Sequence, residues 1–568
     1  MTPKAPEPTV RDSVREIAER GRTRVLIIGG GINGIATFRD LALQGVDVLL
    51  VERSDFASGA SAASSHMIHG GIRYLENGEF RLVKESVQER NGLLKIAPHY
   101  VKPLQTTIPI YSSFSGILSA PLRFLRHGTG KPQERGAVLI KVGLELYDTF
   151  SRDGGTVPKH RFHGRTKSLQ QLPHLDPAVK YTATYYDASV HDPERLALDV
   201  LRDGLDAHAG AQALNYVEAI GMSAAGVVLR DQESGTEFTV HADVVVNASG
   251  PWTDLTNAAL GEPTAFMGGT KGSHIVLDHP ELFEATGGRE IFFEHSDGRI
   301  VLIYPLKGRV LVGTTDIPAD PAEPARCTEE EIDYFFDLVA HVFPGIPVDR
   351  SQIIYRYAGI RPLPHTDDAA PGFISRDYRI ERREDAGMPP VLSLVGGKWT
   401  TFRALAETLA NRVLGELGVA RTVGTKGLRI GGAKGYPLTL RRRAQWLSEN
   451  VGSDRRGEIL FERYGTRAAD VAQFLRAGDD TALLDDQLST RELEWMTAHE
   501  HVHHITDVVL RRTSLAFTGR ATGEAIRTIA EVLAPLLGWD ATQTEAEITR
   551  CEEELRDAHG VTPAASAA

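Results

Sequence analysis

The clearest pattern of hydrophobic and polar positions lies near the start of the chain. Residues 24–28 form an apolar, largely β-branched run, and residues 29–34, GGGING, follow it directly. A helical pattern comes next, and a second apolar run over residues 48–51 ends at the carboxylate Glu52. This order of strand, glycine turn, helix and strand predicts the βαβ unit in which a dinucleotide-binding fingerprint is meaningful.

Each residue of this unit has a physical task when a dinucleotide is bound. Gly29 permits the tight turn out of the strand, Gly31 lets backbone N–H groups approach a pyrophosphate, and Gly34 allows the helix to pack closely on the sheet. The helix N-terminus faces the phosphates with its partial positive charge, and Glu52 accepts hydrogen bonds from ribose hydroxyls. The motif alone does not separate FAD from NAD, and the alternative is a glycine-rich turn without a ligand.

Apolar and alternating runs predict further strands after a helical pattern over residues 190–209. The buried run 243–247 opens into a glycine turn at Gly250. The runs 299–305 and 309–313 are joined by Lys307-Gly308 and predict a hairpin, so an antiparallel sheet accompanies the α/β unit. The predicted strands are 212–217, 226–230, 237–241, 243–247, 271–277, 299–305, 309–313 and 353–358.

Beyond Lys426 the pattern becomes helical, without strands, which predicts a helical C-terminal domain. One of these helices contains His499 and His503 in the zinc-protease pattern H-E-x-x-H, whose two histidines share a helix face. No third ligand or downstream signature accompanies them, so a His-rich solvated helix explains the same residues, and no metal site is predicted. The predicted helices are 440–451, 467–477, 491–513, 524–537 and 545–558.

The composition excludes several classes of protein for this chain. The chain has 568 residues, of which 42% are hydrophobic, and this is enough for several domains with substantial cores. Its net charge of -12 argues against a general affinity for nucleic acid. Two distant cysteines, Cys327 and Cys551, indicate neither a disulfide framework nor a cysteine metal site, which fits the cytoplasm. We expect no signal peptide in residues 1–22 and no membrane-spanning helix.

Two neighbouring segments after Glu52 suit contact with a flat ligand. Residues 53–65 are mostly small or hydroxyl-bearing and offer N–H and O–H donors. Residues 66–75 place Gly70 and Gly71 beside His, Arg and Tyr side chains, which suggests a site where the backbone approaches a ligand. A surface turn with incidental polar residues is the alternative.

The order of these motifs resembles FAD-dependent glycerol-3-phosphate dehydrogenases, within the flavoproteins that include D-amino acid oxidase. The resemblance rests on SSHMIHGGIRYLE after the ribose-binding acid, then on NASGPW, KGSHIV, GTTD, GIRPL and GGKWTTFR. These motifs extend from residue 24 to about residue 405, and the helical tail is also similar. His66 departs from the family, which often has lysine at that position.

The resemblance implies an α/β fold with an α+β second domain. An FAD-binding Rossmann-like domain of the D-amino acid oxidase type is assembled from residues 23–110, 190–262 and 355–425. Residues 111–189 and 263–354 form a substrate or capping domain with an antiparallel sheet. Residues 426–568 form the helical C-terminal domain, and residues 1–22 are an N-terminal extension.

The resemblance also implies the roles of individual residues. His274 and His69 are the candidate bases, with His274 preferred, and Arg361 is catalytic because a fixed guanidinium fork suits a developing negative charge. Arg73, Tyr74 and Lys398 bind the substrate. The implied cofactor-binding residues are Gly29, Gly31, Gly34, Glu52, Ser61, Ser65, Gly70, Gly71, Gly250, Gly397 and Thr400.

The implied reaction is the oxidation of sn-glycerol 3-phosphate to dihydroxyacetone phosphate. FAD takes a hydride, a protein base takes the hydroxyl proton, and a quinone receives the electrons. The alternatives are a glycerophosphate oxidase that uses O2, another small-substrate FAD oxidoreductase, and a flavin-binding protein without enzymatic activity. Three convergent cations favour a phosphorylated substrate over an amino acid.

A basic and apolar segment, residues 112–131, suggests contact with a lipid surface. Its apolar side chains alternate with Arg123, Arg126 and Lys131, a composition that can lie in a membrane interface. Pro121 and Gly116 interrupt any helix, so a core-facing loop is the alternative. We therefore expect a cytoplasmic protein that is peripheral on the inner face of the plasma membrane, and the family implies a homodimer.

Overall fold

The computed structural model describes residues 10–71, 80–112, 158–294, 299–365 and 377–562, together with residues 140, 141, 144, 145, 147 and 148. Most of the basic and apolar segment 112–131 lies outside these residues. The strands of the described chain are β1 (Arg22–Ile28), β2 (Val48–Glu52), β3 (Met67–Ile68), β4 (Val101–Ile110), β5 (Arg161–Gly164), β6 (Tyr181–Val190), β7 (Gln212–Asn215), β8 (Val217–Ser223), β9 (Gly226–Asp231), β10 (Glu237–Asn247), β11 (Met267–Leu277), β12 (Glu290–Glu294), β13 (Ile300–Leu306), β14 (Arg309–Gly313), β15 (Ile317–Pro318), β16 (Ile353–Pro364), β17 (Arg379–Arg383), β18 (Val391–Val395), β19 (Ala482–Leu483) and β20 (Leu488–Ser489).

The helices flank these strands and then dominate the C-terminal part. They are α1 (Asp12–Arg20), α2 (Ile32–Leu43), α3 (Phe80–Ile96), α4 (Arg165–Gln171), α5 (Pro193–Ala207), α6 (Thr253–Ala259), α7 (Pro280–Ala285), α8 (Glu329–Val342), α9 (Phe402–Glu416), α10 (Leu440–Asn450), α11 (Arg455–Tyr464), α12 (Ala468–Arg476), α13 (Thr490–His499), α14 (Ile505–Asp507), α15 (Gly523–Leu537) and α16 (Ala541–His559).

The first sheet carries the βαβ unit that the opening pattern predicts. β1 lies at its centre and pairs in parallel with β2 and β10, and β7 and β18 extend the sheet in parallel on either side. Its strands are apolar because helices cover both faces. On one face Ile27 packs with Phe38 of α2 and Leu405 of α9 in a fully buried core, and on the other Leu26 packs with Val14 of α1.

Residues 237–247 form one strand, where the hydrophobic pattern predicts two. The first half of β10 pairs antiparallel with β9, and the second half pairs in parallel with β1. His241 and Asp243 interrupt the apolar pattern but not the strand, because side chains two residues apart share one face. The turn after β10 therefore reaches the glycine turn that follows β1.

The second sheet is mostly antiparallel and has ten strands in the described chain. β11 pairs antiparallel with β14, β15 and β16, whereas β12 and β4 are parallel neighbours. The predicted hairpin is present between β13 and β14, and its turn residues Lys307 and Gly308 have φ values of 52° and 75°. Positive φ at both positions is the backbone of a tight hairpin turn.

The predicted domain segments do not coincide with the two sheets. β3 and β4 come from the predicted cofactor segment 23–110, and β16 begins the predicted cofactor segment 355–425, yet all three strands lie in the second sheet. The chain thus passes between the two sheets several times, and the division into domains stays a prediction.

The C-terminal part is helical around its own core, with three differences from the prediction. The short strands β19 and β20 form a hairpin, and α11 has no counterpart among the predicted helices. Residues 491–513 do not form one helix but divide into α13, α14 and a π-helical turn, Val508–Arg512. The break arises because the Asp507 carboxylate accepts hydrogen bonds from the N–H groups of His503 and His504 and so caps the next helix.

This break removes the geometry that the zinc-protease pattern needs. α13 ends at His499, and His501 has a left-handed φ of 53°, so His499 and His503 do not share a helix face. His499 stacks on Trp495, and His503 Nε2 lies 3.1 Å from Arg11 Nη1. Among the described residues, no group of three or more His, Cys, Asp or Glu side chains is arranged to hold a metal ion.

A buried ion cluster joins the helical part to the loop after β2. The Asp55 carboxylate accepts hydrogen bonds from both Arg511 and Arg512, and the distance from Arg512 Nη2 to Asp55 Oδ1 is 2.9 Å. The side chains of Asp55 and Arg512 are completely buried. Burial disfavours the charge on Asp55, but the two guanidinium groups outweigh it and hold the pKa of this carboxyl well below its usual range.

Replacing Asp55 by asparagine leaves two guanidinium groups buried without their counter-charge. Breaking one partner of a buried pair costs about 3–5 kcal/mol, so we expect Asp55→Asn to lower the free energy of unfolding by about that amount in urea titration. The control Arg382→Met removes an exposed pair with Glu416 and should change stability little. Equal effects of the two substitutions would contradict this account.

A second contact, between the helical part and the turn that joins β9 to β10, depends on pH. The His504 ring lies 3.0 Å from Glu233 on one side and 3.0 Å from Glu547 on the other. Burial disfavours the charged ring, but the hydrogen bonds to the two carboxylates outweigh it and raise the pKa of His504 to about 9. Because the folded-state pKa lies above the ordinary 6.5, this stabilisation is fully present below pH 6.5 and is lost as the pH rises through 9.

We therefore expect the stability of the protein to fall between pH 6.5 and pH 9 more steeply than that of His504→Gln, which has no group to deprotonate. Thermal unfolding of both proteins in a series of buffers measures the difference. If the two proteins lost stability in parallel over this range, His504 would not be the titrating group.

Candidate active site

The glycine turn after β1 is built as the fingerprint predicts. Gly29 has a φ of 113°, and a Cβ atom there would lie 2.6 Å from the carbonyl oxygen of Ala248, at the end of β10. A Cβ atom at Gly34 would overlap the carbonyl oxygen of Gly29. Glycine is therefore required at both positions, and the first turn of α2 packs directly on the end of β1.

Two side chains from the following segment hold this turn. The Glu52 carboxylate accepts hydrogen bonds from the N–H groups of Gly30, at 2.7 Å, and Ser54, at 3.0 Å. The Ser61 hydroxyl accepts a hydrogen bond of 2.9 Å from the N–H of Ile32, at the start of α2. Burial raises the pKa of Glu52, and the two N–H donors oppose this shift. Each carboxylate oxygen keeps a further lone pair for a ribose hydroxyl.

A cavity of about 620 Å³ opens at this turn. Among the predicted cofactor residues, its walls include Gly29, Gly31, Glu52, Ser61, Gly250 and Gly397. Gly250 and Gly397 have φ values of 64° and 112°, so both turns need glycine to bring their backbone to the cavity. In this way three segments far apart in sequence line one space.

The walls of this cavity fit the ADP part of a dinucleotide. N–H groups in the first turn of a helix have no partners within that helix, and Gly31, Ile32 and Asn33 at the start of α2 line the cavity. At the same helix end, the buried Oδ1 atom of Asn33 has no hydrogen-bond partner in the described part of the chain. Phosphate oxygens of the ADP part can accept hydrogen bonds from the N–H groups, and its ribose hydroxyl groups can donate hydrogen bonds to Asn33 and Glu52.

His274 lies in the second sheet, on β11, in a largely apolar setting. Its ring stacks on Tyr357 of β16, with a centroid distance of 4.8 Å, and its Nε2 lies 2.8 Å from the hydroxyl of Ser65. Its Nδ1 is buried and has no hydrogen-bond partner among the described residues. Burial, with a smaller contribution from Arg361, lowers the pKa of His274 well below its usual value. The imidazole is therefore unprotonated at neutral pH.

Arg361 shares this face of the sheet; it pairs with Thr270, four residue pairs away from the pair of His274 and Tyr357. Its guanidinium donates to Asp316 Oδ1, at 3.1 Å, to the Thr314 hydroxyl, at 3.0 Å, and to the Thr315 carbonyl, at 2.9 Å. A Cβ atom at Gly272, on the neighbouring strand, would overlap this guanidinium. The glycine therefore leaves the space in which the Arg361 fork lies across the sheet.

The segment His69-Gly70-Gly71 is anchored within the protein. The Gly70 N–H donates to the hydroxyl of Tyr147 and to Asp187 Oδ1, each at 3.0 Å, and Arg90 binds the same carboxylate at 2.9 Å. A Cβ atom at Gly70 would overlap Tyr147. The glycine is needed for this packing, and the cofactor contacts predicted for Gly70 and Gly71 stay predictions.

The segment after β18 brings a cation to the cavity. Lys398 lines the cavity, and its Nζ donates to the Ser86 hydroxyl at 2.8 Å. The Trp399 indole N–H donates to the carbonyl of Ser61 at 3.0 Å and so ties this segment to the cofactor loop. Thr400 is buried beside it. Arg73 and Tyr74, predicted to bind substrate, lie outside the described residues.

Several contributing residues are absent from the sequence-based prediction. Glycine inside a strand often marks a place where another group packs closely against the backbone. Arg361 occupies this place at Gly272, and Ala63 occupies it at Gly359. Tyr357, which stacks on His274, lies on a strand that the pattern does predict. The contact between Asp55 and the two arginines has no local signal in the sequence.

Comparison with protein families agrees with this geometry. The family model described as FAD dependent oxidoreductase matches residues 24–412, which include both sheets and the glycine turn. The model of the C-terminal domain of alpha-glycerophosphate oxidase matches residues 423–544. The chain therefore belongs to the FAD-dependent oxidoreductase family, it is an enzyme, and its cofactor is FAD.

Individual relatives show to which group within this family the chain belongs. A protein of Synechocystis named glycerol-3-phosphate dehydrogenase is 34% identical over 94% of this chain and 96% of its own length. One of the same name from Pseudomonas aeruginosa is 31% identical over 86% of this chain and 91% of its own. The chain belongs with the FAD-dependent glycerol-3-phosphate dehydrogenases, as its motifs predict.

A solved structure supports the fold. The glycerol-3-phosphate dehydrogenase of Bacillus halodurans, complexed with FAD, superposes with a TM-score of 0.73 and covers 96% of this chain and 97% of its own. At 24% identity this similarity concerns the fold alone. None of the described helices has the length and apolar character needed to cross a membrane.

The packing at Gly34 gives a direct test of cofactor retention. We expect Gly34→Ala to displace the glycine turn, because the added methyl group meets the backbone of Gly29, and the purified protein to lose most of its FAD absorbance. Gly92→Ala is the matched control, since the same methyl group on α3 meets no atom within 4 Å. Equal FAD content in both variants would contradict the role of this turn.

Proposed function

We propose that the enzyme oxidises sn-glycerol 3-phosphate to dihydroxyacetone phosphate and passes the electrons to a quinone. The names of the relatives support the substrate, and FAD supplies the hydride acceptor. The observation that carries the proposal is the pairing of a buried neutral imidazole, His274, with a fixed guanidinium, Arg361, on one face of the second sheet. A base for the hydroxyl proton and a cation for the negative charge suit the oxidation of a phosphorylated alcohol.

His274 takes the hydroxyl proton as the carbonyl forms. Its low pKa keeps the ring unprotonated, and the hydrogen bond to Ser65 fixes the orientation of the ring. Proton uptake at His274 becomes easier once a phosphate dianion lies near it, because the added negative charge raises the pKa of the ring. His69 remains the second candidate for this role.

The cations hold the phosphate and stabilise the oxygen on which negative charge develops. Arg361 is suited to this because Asp316 and the Thr314–Thr315 pair hold its planar fork in one orientation before the substrate arrives. Lys398 supplies a second positive charge on the cavity wall, and Arg73 and Tyr74 complete the proposed set. A doubly charged phosphate balances these cations better than a zwitterionic amino acid does.

A quinone is our proposed acceptor, and O2 is the alternative. The names of the dehydrogenase relatives favour the first, while the similarity of residues 423–544 to an alpha-glycerophosphate oxidase domain keeps the second open. Measuring how fast quinone and O2, each added separately, reoxidise the reduced enzyme distinguishes the two acceptors.

The proposal is tested by anaerobic mixing of the yellow enzyme with glycerol 3-phosphate, which should bleach the flavin band. We expect Arg361→Ala to slow the bleaching about a hundredfold or more, because the developing charge loses its fixed donor. Arg361→Lys, which keeps the charge without the fork, should fall between Arg361→Ala and the unchanged protein. His499→Ala, at the zinc-like pattern, should bleach at the normal rate. A colourless protein, or one that reduces NAD instead, would overturn the proposed function.

A further inference from the structure

A short segment interrupts the second sheet beside the candidate active site. β14 ends at Gly313, which pairs with His274, and β15 begins at Ile317, which pairs with Lys271. Between these two pairs, the three residues 314–316 face only two residues of β11. One extra residue in an antiparallel pair makes a bulge, which bends the strand and redirects its groups. We call residues 314–316 the acceptor bulge.

The acceptor bulge orients the guanidinium of Arg361. All three of its residues accept hydrogen bonds from this group, through the Thr314 hydroxyl, the Thr315 carbonyl and the Asp316 carboxylate. Arg361 belongs to β16, on the other side of β11, so its side chain reaches the bulge by crossing β11 over Gly272. The orientation of the guanidinium fork therefore depends on where the bulge lies.

Glu331 lies behind the acceptor bulge, on the opposite face of the sheet. This residue is buried in the first turn of α8, and α8 covers that face, where Phe335 and Ile275 belong to one buried cluster. Successive side chains of a strand point to opposite faces, so Ser273 and Ile275 point towards α8 and His274 points away from it. Glu331 therefore faces the underside of the strand that carries the candidate base.

The Glu331 carboxylate accepts hydrogen bonds from several segments at once. Its Oε1 atom accepts from the hydroxyl groups of Ser273, at 2.8 Å, and Thr315, at 2.6 Å. Its Oε2 atom accepts from Lys271 Nζ, at 2.8 Å, and from the N–H of Thr328, at 2.9 Å. A single carboxylate thus joins β11, the acceptor bulge and the start of α8.

These donors keep Glu331 ionised, and its charge fixes the hydroxyl of Thr315. Burial raises the pKa of the Glu331 carboxyl, but the hydrogen bonds from Lys271 and its other donors outweigh burial and hold this pKa below its usual value. A carboxylate has no proton to donate, so the Thr315 hydroxyl donates to it. The oxygen of the same hydroxyl accepts a hydrogen bond of 3.0 Å from the N–H of Ser273. Both contacts hold the acceptor bulge against β11.

We propose that Glu331 is a positioning residue, which holds the acceptor bulge and thereby keeps the Arg361 guanidinium in the orientation that stabilises negative charge on the substrate. This rests on the proposed function, in which Arg361 acts on a phosphorylated alcohol. The same carboxylate holds Ser273, the neighbour of the candidate base His274. Misplacing a group by about 1 Å can slow a reaction about a hundredfold, so Glu331 can control the rate without touching the substrate.

Anaerobic bleaching of the flavin by saturating glycerol 3-phosphate measures this role. We expect Glu331→Ala to slow bleaching about tenfold or more, because the acceptor bulge loses its anchor. Thr315→Val removes only the hydroxyl that Glu331 holds and keeps the carbonyl that Arg361 uses, so it should also slow bleaching, and it replaces Glu331→Ala if that variant does not fold. Glu330→Ala, in the same turn of α8 but with an exposed side chain, is the matched control and should bleach at the normal rate.

A double variant separates positioning from a merely structural role. If Glu331 acts through Arg361, Glu331→Ala should have little further effect once Arg361 has been replaced. The double variant Arg361→Ala/Glu331→Ala should therefore bleach as slowly as Arg361→Ala alone, with all rates normalised to FAD content. The same slowing by Glu331→Ala in both backgrounds, or normal bleaching by both Glu331→Ala and Thr315→Val, would overturn the proposal.

Crystal structures of the unchanged enzyme and of Thr315→Val or Glu331→Ala test the positioning role without any substrate. We expect the acceptor bulge to shift in the variant and the Arg361 guanidinium to lose its contact with the carbonyl of residue 315. If glycerol 3-phosphate does not bleach the unchanged enzyme but the guanidinium is displaced in the variant, the proposed substrate is wrong and the role of Glu331 stands. If the unchanged enzyme bleaches and the guanidinium keeps its place in the variant, the role of Glu331 is wrong and the proposed function stands.

Discussion

The buried carboxylate of Asp55 holds the helical part of the chain against the loop that follows β2, and the rest of the structure depends on this contact. It follows directly after the strand that ends at Glu52, and it is held by Arg511 and Arg512 from the helical part of the chain. Burying three charged groups is costly unless their geometry is complete, so the helical part and the cofactor loop order each other. The same loop continues to Ser61, which caps the helix at the glycine turn. Cofactor binding and attachment of the helical part are therefore physically linked.

In the candidate active site, the two main side chains have different surroundings. His274 is buried against Tyr357 and loses basicity, whereas oxygen acceptors surround the guanidinium of Arg361. A neutral base and a permanent cation on one sheet face form a site prepared for an anionic alcohol. Glycine at position 272 makes this arrangement sterically feasible.

Local patterns in the sequence account for much of the fold and for less of the site. The βαβ unit and the hairpin at Lys307 follow from hydrophobic periodicity and turn chemistry, and the family motifs predict roles for His274 and Arg361. The break after His499 escapes such reasoning because Asp507 stabilises it through backbone contacts that no periodicity encodes. The Asp55–Arg512 contact spans 457 residues, so only the folded chain reveals it.

The central claim is that the enzyme removes a hydride from the secondary carbon of glycerol 3-phosphate and transfers it to FAD. Anaerobic stopped-flow bleaching with substrate deuterated at that carbon tests this most directly. We expect a primary isotope effect, with clearly slower bleaching by the deuterated substrate, because the C–H bond breaks in the step that reduces the flavin. Absence of bleaching with either substrate, or reduction of added NAD in place of the flavin, would contradict it.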